Sequence, residues 1–589
     1  MYPRITKTTD RNGNTYEYIR LVESYRENGK NKQRTVCSLG RRDLLMVHLD
    51  RLIQLLSEPE QKRWVRSEDV EPVQAWDWGP MLAVQTLWQE LGLQKILDRM
   101  GGRSKKDGVA LSDRVLVLVA NRLCAPSSEH GLAGWLDTDY VCDREGRRWV
   151  ASWRSEQERR DSKAPRVRVE SKQLQQWYRT LDKLHARKER LEKELYLQLR
   201  DLFSLKVDMV LYDLTSTYFE GEGPAGIALH GHSRDKRPRN RQVLLGLVMV
   251  DGWPIAHHVF AGNRRDSTTV EGVLADLQER FGIARVVFVG DRGMVTSDNI
   301  EHIRRQQQGY VVGLNRRRSE QIYQYVERAT GQWHQCPLAK GAQEKSDPPK
   351  TLVQEVPSDE PGVRVFVVHS DERKGFEEAR RLKGMRRVRE ALERLQKRVE
   401  KGRLKDPSKI GAAAARTLAR HKGYRYYQWE YKDGEFRFFE HPINLKREKA
   451  YEGKYVIQTE EPNLGPIQVV QIYKQLMEVE RAFRNLKDVI ELRPIYHQTA
   501  KRVEAHIQVA TLAFLLQRLL EKKLKNAGID LSASDAMQAL KTVKIVDFTL
   551  GNGEQKRTVT KGSERAARVL RALDVHNPNI PPKQEISEV

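Results

Sequence analysis

The spacing of apolar and polar residues changes rhythm several times along the chain, and each change predicts a different kind of element. Residues 1–45 carry short β-branched and aromatic runs, YEYIRLVESYR and QRTVCSLG, parted by ENGKNK, whose Asn-Gly pair signals a hairpin. They predict a small N-terminal β segment. Residues 46–205 are mostly helical in pattern. Within them, apolar residues at Leu174, Trp177, Leu181, Leu184, Leu191, Leu195 and Leu202 come close to a heptad, with one break at Lys188, and predict a long, coiled helix. At Val207 the period drops to two. VDMVLYDL alternates, and QVLLGLVMV and WPIAHHVFAG form a hairpin across Asp251-Gly252. TTVEGVLADLQERFG reads as a helix stopped by Gly282. RVVFVGD is a strand of the fully buried kind, followed by the helix SDNIEHIRRQQQG and the strand YVVGLN. Three strands followed by helix, strand, helix and strand predict a mixed sheet flanked by helices over 206–315.

The pattern loosens over 316–452, which reads as an insertion. It holds a basic helix over 377–405 and an aromatic hairpin, YRYYQWEYKDGEFRFFEH, turning at Asp433-Gly434. A strand (KYVIQT), a long helix over 466–491 and another over 500–525 return the chain to its core at 453–525. Residues 526–589 form a C-terminal region. From Asp574 it is rich in Pro and Asn and predicts a loose tail.

At 589 residues the chain exceeds what one core serves, so several domains are expected. Its longest apolar run, Val243 to Val250, is far short of the ~20 residues a membrane span needs. No N-terminal stretch resembles a signal peptide. Cys37, Cys124, Cys142 and Cys336 lie far apart without a CxxC pair, which argues against zinc or disulfides and for a reducing cytoplasm. The 104 Lys and Arg outnumber the 80 Asp and Glu, leaving a formal net charge of +24 and pointing to a polyanion, most simply nucleic acid. Over half of the surplus sits in two stretches. Residues 373–405 hold 14 basic and 5 acidic residues, and residues 231–241 hold 5 basic and 1 acidic.

Three acids stand at odd places. Asp213 continues the apolar row Val207, Met209, Leu211, and Asp291 ends the run Val286–Val289. Both are expected at the carboxyl ends of central strands, where open α/β sheets bind ligands. Glu480 lies on a helix whose apolar stripe is Ile472, Leu476, Val479, Phe483, Leu486 and Ile490. Beside that stripe Tyr473, Glu480, Arg484 and Lys487 share one polar face. Singly, each acid reads as a turn, a cap or a surface ion pair. Together, two strand-end aspartates and a helix-borne glutamate suit a pair of divalent ions on oxygen ligands, the arrangement for in-line phosphoryl displacement. Arg292, Arg484 and Lys487 are placed to clamp phosphates. His257, His258, His497 and His506 read as packing or hydrogen-bonding residues.

The segments YDLTSTYFEG, GHSRDKRPRNRQVLLGLVMVDGWPIAHHVFAGNRRDSTT, VFVGDRGMVTSDNI and YKQLMEVERAFRNLKDVIELRPIYH resemble the DDE transposases of bacterial insertion sequences. The likeness is to the insertion-sequence-four-like group with its Tyr–Arg–Glu–Lys signature, over about residues 207–520. SYRENGKNKQRTVCSLG and NRLCAPSSEHGLAGW also look like N-terminal parts of such proteins. The resemblance implies a multidomain α/β protein with a ribonuclease-H-like core, in two parts at 206–315 and 453–525, interrupted by the 316–452 insertion. A mostly helical region at 46–205 is expected to serve DNA binding or dimerisation. The resemblance implies Asp213, Asp291 and Glu480 as catalytic residues and ligands of two Mg²⁺ ions, with Mn²⁺ able to substitute. The signature Tyr falls on Tyr473 and the Lys on Lys487, while the Arg position is Leu476, a core position by its stripe; Lys474 or Arg484 is the candidate replacement cation.

DNA and phosphate contacts are expected from Tyr473, Arg484, Lys487, Arg292, Arg234, Lys236 and Arg237. Trp429 and Trp333 are candidates for stacking a flipped base. The implied activity is cut-and-paste transposition through a hairpin, on inverted-repeat ends and target DNA, by a homodimer in the bacterial cytoplasm, associated with the nucleoid. A non-catalytic DNA-binding descendant and a nuclease that cuts without joining are the alternatives.

Overall fold

The computed structural model describes all residues except 1, 28–29, 50–66, 102–107, 151–171, 206–208, 284, 291–295, 315–319, 339–347, 421, 577 and 587–589. It forms two compact units, Met1–Ala75 with Val546–Thr558, and Trp76–Ile545 with Val559–Val589.

In the first unit β1 (Tyr2–Thr9), β2 (Thr15–Glu27) and β3 (Lys30–Arg41) make an antiparallel sheet, as the alternation predicts. The Asn28-Gly29 pair lies outside the described residues. A second three-stranded sheet joins β4 (Val70–Asp77) to strands that arrive more than 450 residues later in the chain, described below.

The second unit opens with helices and the short strand β5 (Arg148–Trp149). The long coiled helix expected over 174–202 is two helices, α1 (Lys172–His185) and α2 (Lys188–Phe203), broken at Ala186-Arg187. Their apolar faces do not wait for a second copy. Trp177, Leu181, Leu184, Leu191 and Leu195 are buried in this chain's own main core.

A nine-stranded sheet follows. β6 (Met209–Tyr218), β7 (Gln242–Val250) and β8 (Trp253–Ala261) form an antiparallel meander. β9 (Val287–Gly290) and β10 (Gly309–Gly313) add in parallel on the other side of β6. The β7–β8 turn has φ +48° at Asp251 and +77° at Gly252, the twist a two-residue hairpin needs. The helix before β9, α3 (Val270–Phe281), ends at Gly282 with φ +68°. Alternation sorts the two sheet faces. Val210, Tyr212 and Leu214 pack with α3 and with Ile303 of α4 (Ser297–Arg305). Leu211, Leu247 and Val289 belong to the main core on the opposite face.

Part of the span 316–452 belongs to this sheet. β11 (His334–Gln335), β12 (Thr351–Val356) and β13 (Arg364–Ser370) are bonded into the same sheet through the later strand Lys454–Thr459, in the order β11-β12-β13-Lys454–Thr459-β10-β9-β6-β7-β8. What stands off the sheet begins with α5 (Asp371–Glu400). With β14 (Tyr427–Lys432) and β15 (Glu435–Glu440) it encloses a small core of its own, including Val388, Leu392, Leu395 and Tyr427. The β14–β15 turn has φ +51° at Asp433 and +81° at Gly434, as the aromatic hairpin predicts.

The returning strand is β16 (Lys454–Thr459). The single helix expected over 466–491 divides at Gln475 into α6 (Pro466–Lys474) and α7 (Leu476–Asp488). The long α8 (Ala500–Asn526) is buried along much of its length. β17 (Lys544–Leu550) and β18 (Gln555–Val559) complete the sheet that β4 begins, in the order β18-β17-β4. The tail after Asp574 is pinned rather than loose. β19 (Glu585–Ile586) pairs with β5, and Tyr140 donates to the Pro582 carbonyl at 3.1 Å. All four cysteines are free thiols. Among the described residues no helix is long and apolar enough to cross a membrane.

Candidate active site

Asp213 does not end its strand. β6 continues to Tyr218, and Asp213 pairs across to Leu247 of β7. In its pairing with β9 the last described partners are Leu211 and Val289. Asp213 therefore stands two residues past the last described β6–β9 partner, on the face that turns to the main core. It is half-buried, and its Oδ1 accepts the Leu214 amide at 2.7 Å. Asp291 and Arg292, which follow Gly290 at the end of β9, lie outside the described residues.

α7 packs on that face of β6. Val479, Ala482, Phe483 and Leu486 are buried, and Leu476, at the signature Arg position, is core as its spacing predicts. Glu480 and Arg484 are exposed beside this stripe. Tyr473 does not share their face, because it precedes the break at Gln475. Its ring lies 5.8 Å from that of Tyr455 on β16, and its hydroxyl sits so close over Gly313 of β10 that a Cβ there would be 2.2 Å away. Gly313 is what lets α6 approach the sheet.

Lys487 is drawn inward. Only 10% of its side chain is exposed, and its Nζ donates to Asp235 Oδ1 at 2.8 Å. Arg493 donates to the same oxygen. Asp235, 4% exposed, sits in the β6–β7 loop, the one acid of the basic stretch 231–241. Burial draws the Lys487 ammonium below the usual lysine range, against the pull of Asp235. Next to it Arg234 pairs with Asp266 at 2.5 Å, and its amide donates to Ser216 Oγ of β6 at 3.0 Å. Lys236 and Arg237 are exposed, Arg237 lying 5.6 Å over the Tyr218 ring. Asp235 and Asp266 escaped the sequence reading, and Arg493, expected to touch DNA, instead pairs with Asp235 and Asp488. The only signal was a lone carboxylate amid five cations.

Trp429 and Trp333 are half-buried. Trp429 stacks on Phe436 at 5.8 Å, and Trp333 meets His369 edge-on at 6.4 Å.

A second cluster, Glu129, His497 and His506, has its ligand-type atoms within 4.8 Å of one another. It does not suit a metal. His506 Nδ1 faces Arg122 at 3.2 Å and so accepts, while Nε2 donates to the Leu492 carbonyl at 3.0 Å. Both ring nitrogens are occupied, and a guanidinium borders the site. His257 and His258 are likewise held by Glu192 at 2.7 Å and Asp276 at 3.4 Å. Burial, then the Arg122 charge and His497, hold His506 down to about 3, with Glu129 opposing. A buried neutral imidazole stabilises the fold above the unfolded pKa of ~6.5 and loses that contribution as pH falls toward its folded value. Glu129, held below the ordinary carboxylate range by His497 against its own burial, adds no slope until below pH ~4.5. Acidification from pH 7.5 to 5 is expected to cost about 2 kcal/mol through His506. Urea unfolding at both pH values checks this, and His506→Gln should show a shallower slope than the parent chain.

Residues 208–516, over half of the chain, match the family model described as the transposase DDE domain. The chain is a DDE transposase. Residues 3–69 match the N-terminal domain model of the IS1634 family of transposases, which makes it an insertion-sequence enzyme. No curated protein matches the transposase. A cryo-EM structure of a piggyBac transposase synaptic complex with hairpin DNA aligns with 80% of this chain and 82% of its own, at 9% identity and a TM-score of 0.33. A likeness that loose carries no argument. DDE transposases act on DNA and depend on divalent metal. The donors present fit such an ion: Asp213 and Glu480 offer only carboxylate oxygens, from a strand and a helix in direct contact.

Proposed function

We propose that this transposase cuts DNA at the inverted-repeat ends of its element, releases it through a hairpin, and joins the freed 3′-hydroxyl to target DNA. Asp213, Asp291 and Glu480 hold the divalent ions, Mg²⁺ by preference with Mn²⁺ substituting, in a core of the ribonuclease-H-like kind. Two such ions, when bound, supply an activated attacking hydroxyl and stabilise the leaving oxygen of the phosphodiester. The observation that carries the reading is the packing of α7 on β6. It sets the helix of Glu480 on the strand of Asp213.

The chain's other residues orient. Lys487 and Arg493 converge on Asp235, tying α7 to the β6–β7 loop. Arg484, exposed one turn after Glu480, contacts a DNA phosphate, with Lys236 and Arg237 on the same loop system. An unpaired base finds Phe376 more readily than either tryptophan. Phe376 is 67% exposed at a cavity of about 510 Å³ lined by Arg380, Lys422, Arg425 and Tyr426. The protein works as a homodimer on DNA, one copy for each end.

Incubation with labelled element ends, a target plasmid and Mg²⁺ tests this. Cleaved ends and joined products are expected. Binding without cleavage would leave a DNA-binding protein, and cleavage without joining a nuclease.

A further inference from the structure

The N-terminal sheet sorts its charges by face. In β1–β2, Tyr2, Arg4, Thr6 and Thr8 stand opposite Val22, Arg20, Tyr18 and Tyr16, and residues directly opposite point the same way. Across β2–β3 the same face takes Ser24 with Gln33, Arg26 with Asn31, and Tyr18 with Arg41. This face carries Arg4, Arg20, Arg26 and Arg41 and no strand carboxylate. The opposite face is balanced: Lys7 meets Glu17 at 3.5 Å, Arg34 meets Glu23 at 2.7 Å, and Lys32 meets Glu27 at 2.7 Å.

The arginine face is costly as it stands. Arg4 and Arg20 are directly cross-strand, and like charges so placed repel. A carboxylate at either position would relieve this. The face is instead organised by neutral side chains that accept from the arginines. Arg4 donates to Gln33 Oε1 at 2.7 Å, and Gln33 in turn contacts the Tyr2 hydroxyl, bridging from β3 to β1 over Val22. Arg26 donates to Asn31 Oδ1 at 3.2 Å, and Arg41 lies 4.1 Å over the Tyr16 ring. Of the four, only Arg41 has an acidic partner among the described residues, Asp43 at 2.6 Å.

Shape adds to charge. Among the described residues β1 pairs with β2 as far as Val22, and past it β2 and β3 pair on as two strands, Glu23–Glu27 against Lys30–Arg34. A two-stranded ribbon is what the major groove of B-DNA admits, and Arg, Asn and Gln are the side chains that read guanine and adenine edges there.

We propose that this face docks on duplex DNA, the β2–β3 ribbon entering the major groove with Arg26, Asn31 and Gln33 toward the bases, while Arg4 and Arg20 meet phosphates. This rests on DNA being the substrate, and it assigns a recognition surface remote in sequence from the carboxylates.

The test is binding of the full-length chain to end duplexes, scrambled duplexes and an RNA duplex of the same sequence, without divalent metal, across a salt series. Arg4→Ala/Arg20→Ala is expected to weaken both DNA duplexes about tenfold or more and to lower the slope of log affinity against log salt by about 2. Arg4→Lys/Arg20→Lys should keep the slope. Because the parent pair repels, these variants should melt no lower than the parent chain. Arg26→Ala is expected to weaken the end duplex by ~5–100-fold and the scrambled one little. Lys7→Ala/Lys32→Ala, on the balanced face, should change affinity less than about threefold. An unchanged slope in Arg4→Ala/Arg20→Ala, an equal loss from the balanced-face pair, or RNA bound as tightly as DNA would each overturn the assignment. Cleavage by the parent chain, assayed separately with Mg²⁺, reports on the catalytic reading alone, so the two can fail independently.

Discussion

Asp213→Asn should lower cleavage of element ends by about a thousandfold or more while leaving end binding and thermal unfolding close to those of the parent chain. The substitution keeps the shape of the side chain and the acceptor that receives the Leu214 amide at 2.7 Å. It removes the charge that a divalent ion requires. Ion-assisted stabilisation of the attacking and leaving oxygens is worth several kcal/mol, and about 4 kcal/mol corresponds to a factor near a thousand. Glu480→Gln should fall similarly. Glu480 is exposed, so that loss owes nothing to disturbed packing. Single-turnover cleavage with Mg²⁺, beside a binding isotherm without it, measures both effects. A variant retaining a tenth of parental cleavage would remove Asp213 from the site.

Asp235→Ala should produce the largest stability loss among single changes around the site, about 3 kcal/mol. Asp235 is nearly fully buried and is the common acceptor for Lys487 and Arg493. Removing one partner of a buried ion pair costs ~3–5 kcal/mol, because the remaining charge stays desolvated. The lower end applies, since Arg493 is partly exposed and also bonds Asp488 at 2.7 Å. The companion change Lys487→Met removes that stranded ammonium, so Asp235→Ala/Lys487→Met should recover much of the loss. Urea unfolding of the four proteins gives the coupling energy, expected above about 1 kcal/mol. Cleavage should fall with Asp235→Ala as well, because α7 carries Glu480 and is tied to the β6–β7 loop through this carboxylate.

The meander, the two parallel strands beside it and the helices between them were legible because each run keeps one period and ends at a Gly or an Asp-Gly turn. Asp213 and Glu480 stand out as candidates because a carboxylate interrupts or borders an apolar row. The rest is hidden for physical reasons. Nothing in β12 or β13 says which sheet they join, since an apolar strand pairs with any free edge. The break at Gln475 has no Pro or Gly to mark it. It follows from tertiary packing, with Tyr473 held over Gly313 while Leu476 enters the core. The Asp235–Lys487 pair spans 252 residues of sequence, and no local pattern reports it. Locally, Asp235 looks like a flaw in a basic stretch.

The sheet made by β18, β17 and β4 has a consequence in time. β4 ends at Asp77, its partner β17 ends at Leu550, and β18 beyond it ends at Val559. At ~5–20 residues per second, a ribosome reaches them on the order of 25–100 s after β4 is made. Throughout that interval β4 is an unpaired edge, open to the wrong neighbour. β4 thus gains its partner only when the nine-stranded sheet and its carboxylates have already been synthesised.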